Sequence, residues 1–286
     1  MNLCNERELR ALLERHGFRF SKSMGQNFLI DAAVPAAIAD ASGADRSCGV
    51  LEIGPGVGAL TAELSERAGK VVSVELDRAL LPVLAETMDG LGNVEIVPGD
   101  ALKLDLSALA AEKFGGLTPV VCANLPYNIT SPMLEKLVLT PCFQSVTVLL
   151  QKEVAERLSA PEGSGDGGAF SLFLRYYMEP ALVLEVPREK FLPRPKVDSA
   201  LLRCARRTSP AVDAEDEDYF FRVVRGAFLL RRKTIVNSLA AALPERSKDV
   251  IREAVRACGL PETVRGERLT LQDFANLSRL LRAAGT

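Results

Sequence analysis

Two short segments of this chain combine residue types suited to binding a purine base and a nucleoside. Asn124-Leu-Pro-Tyr127 places a carboxamide and an aromatic ring directly after the apolar run Pro119–Ala123. Gly54-Pro-Gly-Val-Gly58 follows another apolar run, Val50–Ile53. Ligands of open α/β sheets bind beyond the carboxyl ends of the strands. The sequence therefore predicts that a base and a nucleoside are held side by side.

The tetrapeptide carries groups that could activate an adenine amine for methylation. The N6 lone pair of adenine is delocalised into the ring, so the free amine is a poor nucleophile. The Asn124 carboxamide oxygen and the Leu125 backbone carbonyl could accept both N6 hydrogens and draw the nitrogen toward sp³ geometry. Pro126 would shape the turn and Tyr127 would stack on the base, so that no strong general base is needed. The alternative interpretation is an Asx-turn followed by an exposed tyrosine.

A second aromatic residue could complete the base-binding site. Phe191 lies within Pro187–Lys196, a segment with three prolines that we do not expect to form regular structure. Its ring could stack on the other face of the base, which would make Phe191 a catalytic residue. The alternative interpretation is that the Phe191 side chain packs in the apolar core.

The glycine-rich turn has the features of a nucleoside cofactor site. Glycines permit a tight turn and the close approach of a ligand. Glu75 ends the next apolar run and could accept hydrogen bonds from both ribose hydroxyls. Asp100, after a third run, could hold an adenine amino group, although it could equally cap a helix. Ala59 completes a G-x-G-x-x-A pattern, so an NAD-dependent dehydrogenase is a distant alternative.

Alternating strand and helix patterns indicate the elements that position these residues. Apolar runs predict seven strands, at 50–53, 71–75, 94–97, 120–123, 146–150, 181–186 and 199–204. Helical spacing separates several of them, notably over 58–68, 78–88 and 131–139. This alternation is typical of an α/β fold with a mostly parallel sheet and helices on both faces.

The pattern changes near Arg206. Residues 207–213 resemble a linker, and helical patterns follow at 215–228, 231–242, 248–258 and 270–283. We expect one domain over 1–206 and a small all-helical domain over 207–286. The glycine-rich segment 160–168 is expected to be a flexible loop.

The amino-acid composition and the distribution of charge indicate which partners and which cellular location to expect. The 286 residues have a net charge of −2, but the part from Leu201 onward holds 16 Lys or Arg against 11 Asp or Glu. This basic part predicts a polyanionic partner, with Arg231, Arg232 and Lys233 contacting phosphates. A solvated helix end is the alternative. Six scattered cysteines, a single histidine, and the absence of secretory or membrane-spanning runs predict a cytoplasmic protein without a metal site.

Taken together, these motifs resemble the ribosomal RNA adenine N6-dimethyltransferase family, and most of all its bacterial members that modify two adjacent adenines near the 3′ end of 16S rRNA. The matching segments run in order along nearly the whole chain: 25–29, 52–56, 74–77, 99–100, 124–128, 150–154, 193–200 and 231–235. Two departures are Met24, where the family usually has Phe, and Gly167–Ser171, where it often has Tyr-Gly-x-Leu-Ser.

The resemblance implies a Rossmann-like class I methyltransferase domain and a helical C-terminal domain that binds RNA or the subunit. It implies S-adenosylmethionine as the methyl donor, 16S rRNA in an assembling small ribosomal subunit as the substrate, and a monomeric enzyme. The cofactor contacts it implies are Asn27, Leu29, Gly54, Glu75, Asp100 and Asn124. Gln26, which lies in the same loop as Asn27, and Gly56 of the glycine-rich turn complete the predicted cofactor site.

Two related functions are alternatives. A large-subunit rRNA adenine methyltransferase of the macrolide-resistance type would share the cofactor loops. That group tends to have Asn-Ile-Pro-Tyr and a strongly basic chain, unlike this one. A non-catalytic ribosome-assembly factor would be expected to have damaged cofactor or acceptor motifs, and these motifs are intact.

Overall fold

A seven-stranded sheet carries both the glycine-rich turn and the Asn-Leu-Pro-Tyr segment in the computed structural model, which describes residues 1–21, 25–230 and 232–284. The strands in chain order are β1 (Phe28–Leu29), β2 (Cys48–Ile53), β3 (Lys70–Glu75), β4 (Val94–Pro98), β5 (Thr118–Asn124), β6 (Ser145–Gln151), β7 (Met178–Val186), β8 (Phe191–Leu192) and β9 (Ser199–Arg206). The main sheet has the order β4-β3-β2-β5-β6-β9-β7, and β1 pairs with β8 in a separate antiparallel ladder.

The sheet is mostly parallel, as predicted. The pairs β2/β3, β2/β5, β3/β4 and β5/β6 are parallel, whereas β9 runs antiparallel to β6. All six residues of β2 are buried, and so are the first six of β6. Strands covered on both faces have nearly continuous apolar sequences rather than alternating ones. This burial explains why the strands were recognisable as apolar runs.

Helices lie in most of the connections between these strands, and they also precede β1 and follow β9. They are α1 (Glu6–Arg15), α2 (Ala33–Ser42), α3 (Ala59–Arg67), α4 (Leu81–Thr87), α5 (Leu106–Phe114), α6 (Thr130–Leu139), α7 (Lys152–Ser159), α8 (Ala169–Tyr177), α9 (Glu217–Ala227), α10 (Ile235–Ala242), α11 (Lys248–Ala257) and α12 (Leu271–Ala283). The sequence did not predict α5, α7 or α8. For α5 a signal was present, because Asp105 caps the helix by accepting a hydrogen bond from the Ala108 amide.

The strand order reverses between β2 and β5. The chain proceeds from β2 to β3 and β4 on one side and later from β5 to β6 on the other. Such a reversal leaves a crevice outside the carboxyl ends of the two central strands. Gly54 follows β2 and Asn124 ends β5, so the fold brings the two predicted ligand-binding segments to one crevice.

The chain divides into two compact units. The first contains Met1–Ala155 and Pro180–Arg206, and the second contains Glu156–Glu179 and the chain from Arg207 onward. We expected residues 156–179 in the first domain, and the structure assigns them to the second. The reason is apolar packing: Leu172 and Tyr176 of α8 are buried in one cluster with Phe220, and the Tyr176 and Phe220 rings lie 5.3 Å apart.

The second unit is built on a core of its own. Phe220, Leu239 and Phe274 are fully buried in it. The glycine-rich segment 160–168 is held within this unit, because Arg268 donates to the Ser164 carbonyl at 2.6 Å and the Glu162 carboxylate accepts from the Leu271 amide at 2.9 Å. Within the described part of the chain, every helix is too short or too polar to cross a membrane.

Candidate active site

A cavity of about 190 Å³ opens at the carboxyl edge of the sheet in the first unit. Its wall includes all of the residues that the sequence predicted to bind the cofactor: Gln26, Asn27, Leu29, Gly54, Gly56, Glu75, Asp100 and Asn124. The cavity is also lined by Leu125, Pro126 and Tyr127. The residues predicted to bind the methyl donor and those predicted to bind the adenine therefore line one cavity. Their individual roles stay predictions.

The Asn124 side chain is held in one orientation. Its amide nitrogen Nδ2 donates a hydrogen bond to the backbone carbonyl of Asn27 at 3.1 Å. A carbonyl oxygen can only accept, so the atom facing Asn27 must be the nitrogen. In this orientation Oδ1 of Asn124 is the amide atom that could accept from a ligand amine, as the sequence predicted, and that role stays a prediction. The sequence did not identify Asn27 as the group that orients the amide.

Tyr127 is tethered through its hydroxyl group. The Tyr127 Oη atom lies 2.6 Å from Oγ of Ser199, a fully buried residue at the start of β9. Burial raises the pKa of the Tyr127 phenol, so the hydroxyl stays protonated at neutral pH. The aromatic ring is thus anchored at its far end while it lines the cavity. Ser199 lay in a segment that matched the family pattern, but the sequence suggested no role for it.

The glycine-rich turn has a backbone that requires glycine. Gly54 and Gly56 have φ angles of +70° and +63°, a conformation that favours glycine. A Cβ atom on Gly56 would also lie only 3.0 Å from the Phe28 ring. Both glycines line the cavity, so the protein presents backbone rather than side chains at these positions.

Glu75 is buried at the end of β3, and its side chain accepts hydrogen bonds from two backbone amides. Its carboxylate accepts from the Gly56 amide at 3.3 Å and from the Asp77 amide at 2.7 Å. Burial raises the pKa of Glu75, and these two hydrogen bonds oppose the rise. Each carboxylate oxygen has a further lone pair for a ligand hydroxyl.

Gln26 connects the N-terminal loop to this region. Its Nε2 atom donates to the Asp77 carboxylate at 2.7 Å. Its Oε1 atom is buried and has no hydrogen-bond partner among the described residues. An unpaired buried acceptor in a cavity wall is suited to a ligand donor, because leaving it unpaired is costly.

Asp100 lines the cavity, as the cofactor interpretation requires. The alternative, that Asp100 caps a helix beginning at Ala101, is wrong, because residues 101–104 form a turn and the next helix, α5, begins at Leu106. One Asp100 carboxylate oxygen accepts from the Leu102 amide within this turn at 3.0 Å. That hydrogen bond fixes the direction of the carboxylate.

Glu52 is a residue of the cavity wall that sequence reasoning missed. Its side chain is 1% exposed, and Oε2 accepts from the hydroxyls of Thr61 at 2.7 Å and Ser73 at 2.6 Å. Burial raises the pKa of Glu52 to about 7. The available signal was an acidic residue inside the otherwise apolar run 50–53.

The structure does not support a stacking role for Phe191. The ring is 2% exposed, belongs to the apolar core and is not part of the cavity wall. Phe191 pairs with Leu29 in the β1/β8 ladder, which turns the side chain into the core. The alternative interpretation as a core residue therefore describes its position.

Two of the three predicted phosphate-binding residues are described, and both belong to the second unit. Arg232 and Lys233 are exposed shortly before α10 begins. Arg231 and Met24 lie outside the described residues.

Comparison with known proteins identifies relatives along most of the chain. Residues 17–279 match the family described as ribosomal RNA adenine dimethylase. The chain is 45% identical over 276 residues to ribosomal RNA small subunit methyltransferase A of Geobacillus thermodenitrificans, which covers 95% of this chain and 94% of the relative. It is 48% identical over 278 residues to the protein of that name from Moorella thermoacetica, which covers 95% and 96%.

Two solved structures are also similar. The 23S rRNA methyltransferase ErmE superposes with a TM-score of 0.69 at 27% identity, covering 89% of this chain and 99% of that one. A dimethyladenosine transferase from Plasmodium falciparum superposes with a TM-score of 0.71 at 27% identity, covering 87% and 95%. The similarity thus extends far beyond the glycine-rich turn.

Proposed function

We propose, from the premise that this chain belongs to the ribosomal RNA adenine dimethylase family, that it dimethylates the N6 amines of two adjacent adenosines near the 3′ end of 16S rRNA. The observation that carries the proposal is the hydrogen bond from Asn124 to the Asn27 carbonyl, which leaves the amide oxygen free for an amine. That oxygen belongs to the same cavity wall as the glycine-rich turn and Glu75.

The cavity fits S-adenosylmethionine as the methyl donor. Asp100, Glu75, Gly54 and Asn124 follow or end β4, β3, β2 and β5, which are consecutive neighbours in the sheet. Three strand spacings of about 4.8 Å separate the first from the last, or roughly 14 Å. Asp100 would hold the adenine end, Glu75 the ribose, and the glycine turn the amino-acid end. Bound there, S-adenosylmethionine would supply an electrophilic methyl group on a positively charged sulfur.

The acceptor residues would make an adenine amine nucleophilic. Asn124 Oδ1 and the Leu125 carbonyl accept its two hydrogens, and Tyr127 stacks on the base. With both hydrogens engaged, the nitrogen lone pair is no longer delocalised into the ring and can attack the methyl carbon. The new N–C bond would form as the methyl–sulfur bond breaks, and the sulfur would keep the electron pair of that bond. The nitrogen then carries a positive charge and loses a proton readily to water. Catalysis therefore rests on positioning and electrostatics rather than on a strong base.

The choice of the small subunit rests on the relatives. The chain is 45% identical to the small-subunit methyltransferase of Geobacillus thermodenitrificans but 27% identical to the large-subunit enzyme ErmE. Arg231, Arg232 and Lys233 would contact rRNA phosphates of an assembling subunit. We infer that the protein acts as a monomer in the cytoplasm, where the ribosomal subunits of bacteria, the source of these small-subunit relatives, are assembled.

Labelled methyl transfer tests this function. Undermethylated small subunits should incorporate about four methyl groups per particle, two on each of two adjacent adenosines. Large subunits should remain unlabelled, and so should small subunits treated with Asn124→Ala protein. Mapping of the modified nucleotides identifies the site. Labelling of large subunits instead would favour the macrolide-resistance type of activity and refute the proposal.

A further inference from the structure

We propose that Lys136 is a positioning residue that fixes the loop carrying Asp100 and thereby shapes the part of the cavity that receives the donor's nucleobase. The inference rests on the proposed function, since it assumes that Asp100 contacts the donor. Lys136 belongs to α6, the helix that begins just after the Asn-Leu-Pro-Tyr segment. It does not line the cavity, so any effect on the ligand must pass through the loop.

The Lys136 ammonium group binds two backbone carbonyls of that loop. Nζ donates to the Leu102 carbonyl at 2.8 Å and to the Leu104 carbonyl at 2.5 Å. Among the residues that the structure describes, no carboxylate lies within ion-pair distance of this ammonium. The carbonyls are therefore its partners, and the half-buried lysine is more than a solvated surface charge.

The same short turn determines the position of Asp100. The Asp100 carboxylate accepts from the Leu102 amide, and the Asp100 carbonyl accepts from the amides of Lys103 at 2.8 Å and Leu104 at 3.1 Å. Leu102 and Leu104 thus bind Asp100 through their amides and Lys136 through their carbonyls. Removing the ammonium would leave two carbonyls without this donor and loosen the turn that aims the Asp100 carboxylate.

Helix α6 also reaches the acceptor end of the cavity. Ile129 and Met133 line the cavity, and Lys136 follows them at helical spacing, on the same side of the helix. The Thr130 hydroxyl, at the start of α6, donates to the Pro126 carbonyl at 3.5 Å. One helix therefore contacts both the Asn-Leu-Pro-Tyr segment and the loop that carries Asp100. Lys136 is the side chain through which the helix binds that loop.

Donor affinity measured by calorimetry tests the proposal. Lys136→Met keeps most of the aliphatic stem but removes the donors, and we expect it to weaken S-adenosylmethionine and S-adenosylhomocysteine binding about tenfold. Lys136→Arg, which retains a cation with several donors, should recover most of the affinity. The KM for the donor should rise while the KM for small subunits stays unchanged. Lys113→Met, which removes a lysine that pairs with Glu95 in the same unit, is the matched control and should bind normally.

A double-mutant cycle with Asp100→Asn separates this role from general stabilisation. If Lys136 acts through Asp100, the double variant should bind the donor no more weakly than Asp100→Asn alone. Additive losses, or unchanged donor affinity in Lys136→Met, would overturn the proposal. If Asp100→Asn alone leaves donor affinity unchanged, Asp100 does not contact the donor. That result would refute the assignment of the donor site, and the proposal for Lys136 with it. Lys136→Gln serves in the cycle if the methionine variant does not fold.

Discussion

Asn124 and Asn27 are 97 residues apart in the chain, yet the side chain of one donates a 3.1 Å hydrogen bond to the backbone carbonyl of the other. The contact joins the N-terminal loop to the proposed acceptor site. It also separates the roles of the two amide atoms, because Nδ2 is bound by the protein and the proposal assigns Oδ1 to the substrate amine.

Substitutions at Asn124 test these separate roles. Asn124→Ala should lower kcat for small-subunit methylation by about 100- to 1,000-fold, because an acceptor that acts mainly in the transition state is removed. Asn124→Asp should be as damaging, since a carboxylate cannot donate to the Asn27 carbonyl. Calorimetry should find donor affinity within a few-fold of the wild type for the Ala variant. Normal turnover by either variant would remove Asn124 from the acceptor role.

The hydroxyl contact between Tyr127 and Ser199 should contribute by holding the aromatic ring. We expect Tyr127→Phe and Ser199→Ala each to reduce kcat/KM about fivefold, the equivalent of about 1 kcal/mol for a missing hydrogen bond. The double variant should be no worse than either single variant, because both remove the same bond. Tyr127→Ala, which removes the stacking face as well, should be much worse. Independent losses from the two single changes would argue against a shared bond.

Glu75 should contribute to donor binding rather than to the chemical step. Glu75→Ala removes the carboxylate assigned to the ribose and the acceptor for the Gly56 and Asp77 amides. We expect S-adenosylmethionine affinity to fall by tenfold or more, since one buried and one partly buried amide lose their partner as well. Calorimetry measures the change, and Glu66→Gln, at an exposed position of the same unit, serves as the control. Unaltered affinity would remove the assignment.

Glu52 should make stability depend on pH. Its pKa is about 7 in the folded protein, because burial disfavours the charged form, against 4.5 for an ordinary glutamate. Between these values the folded state keeps a proton that the unfolded state releases. The free energy of unfolding should therefore fall as pH rises from about 4.5 to about 7, by roughly 3 kcal/mol from this residue.

Glu52→Gln isolates that contribution, since an amide of similar volume does not titrate. Relative to the wild type, the variant should gain stability as the pH is raised from 5 to 8, as measured by denaturant unfolding at each pH. A constant difference between the two proteins over that range would show that Glu52 does not carry the buried proton.

The basic segment before α10 should make binding sensitive to salt. Replacing Arg231, Arg232 and Lys233 with Gln should weaken binding to small subunits and flatten the plot of log affinity against log salt, by about 0.7–0.9 for each phosphate that is no longer neutralised. Donor affinity should be unaffected. A salt slope equal to that of the wild type would mean that these residues form only a solvated helix end.

Much of the architecture was accessible from the sequence because burial on both faces of a parallel sheet produces continuous apolar runs. The Gly54 turn, Glu75, Asp100 and Asn124 were identified because each follows or ends such a run, and strand ends converge at one edge. The family was evident from motifs spread along the chain, and the match over residues 17–279 confirms it.

Long-range contacts between side chains, in contrast, were decided by the tertiary structure alone. Whether Phe191 faced the base or the core depended on its pairing with Leu29 in a two-residue ladder, too short to leave a periodic pattern. The Ser199 contact to Tyr127 joins residues that are distant in the chain and individually ordinary in type. The local sequence indicates which segments favour helix or strand and which residues are buried. The direction of an individual polar group, in contrast, depends on the partner that the completed fold brings within hydrogen-bonding distance.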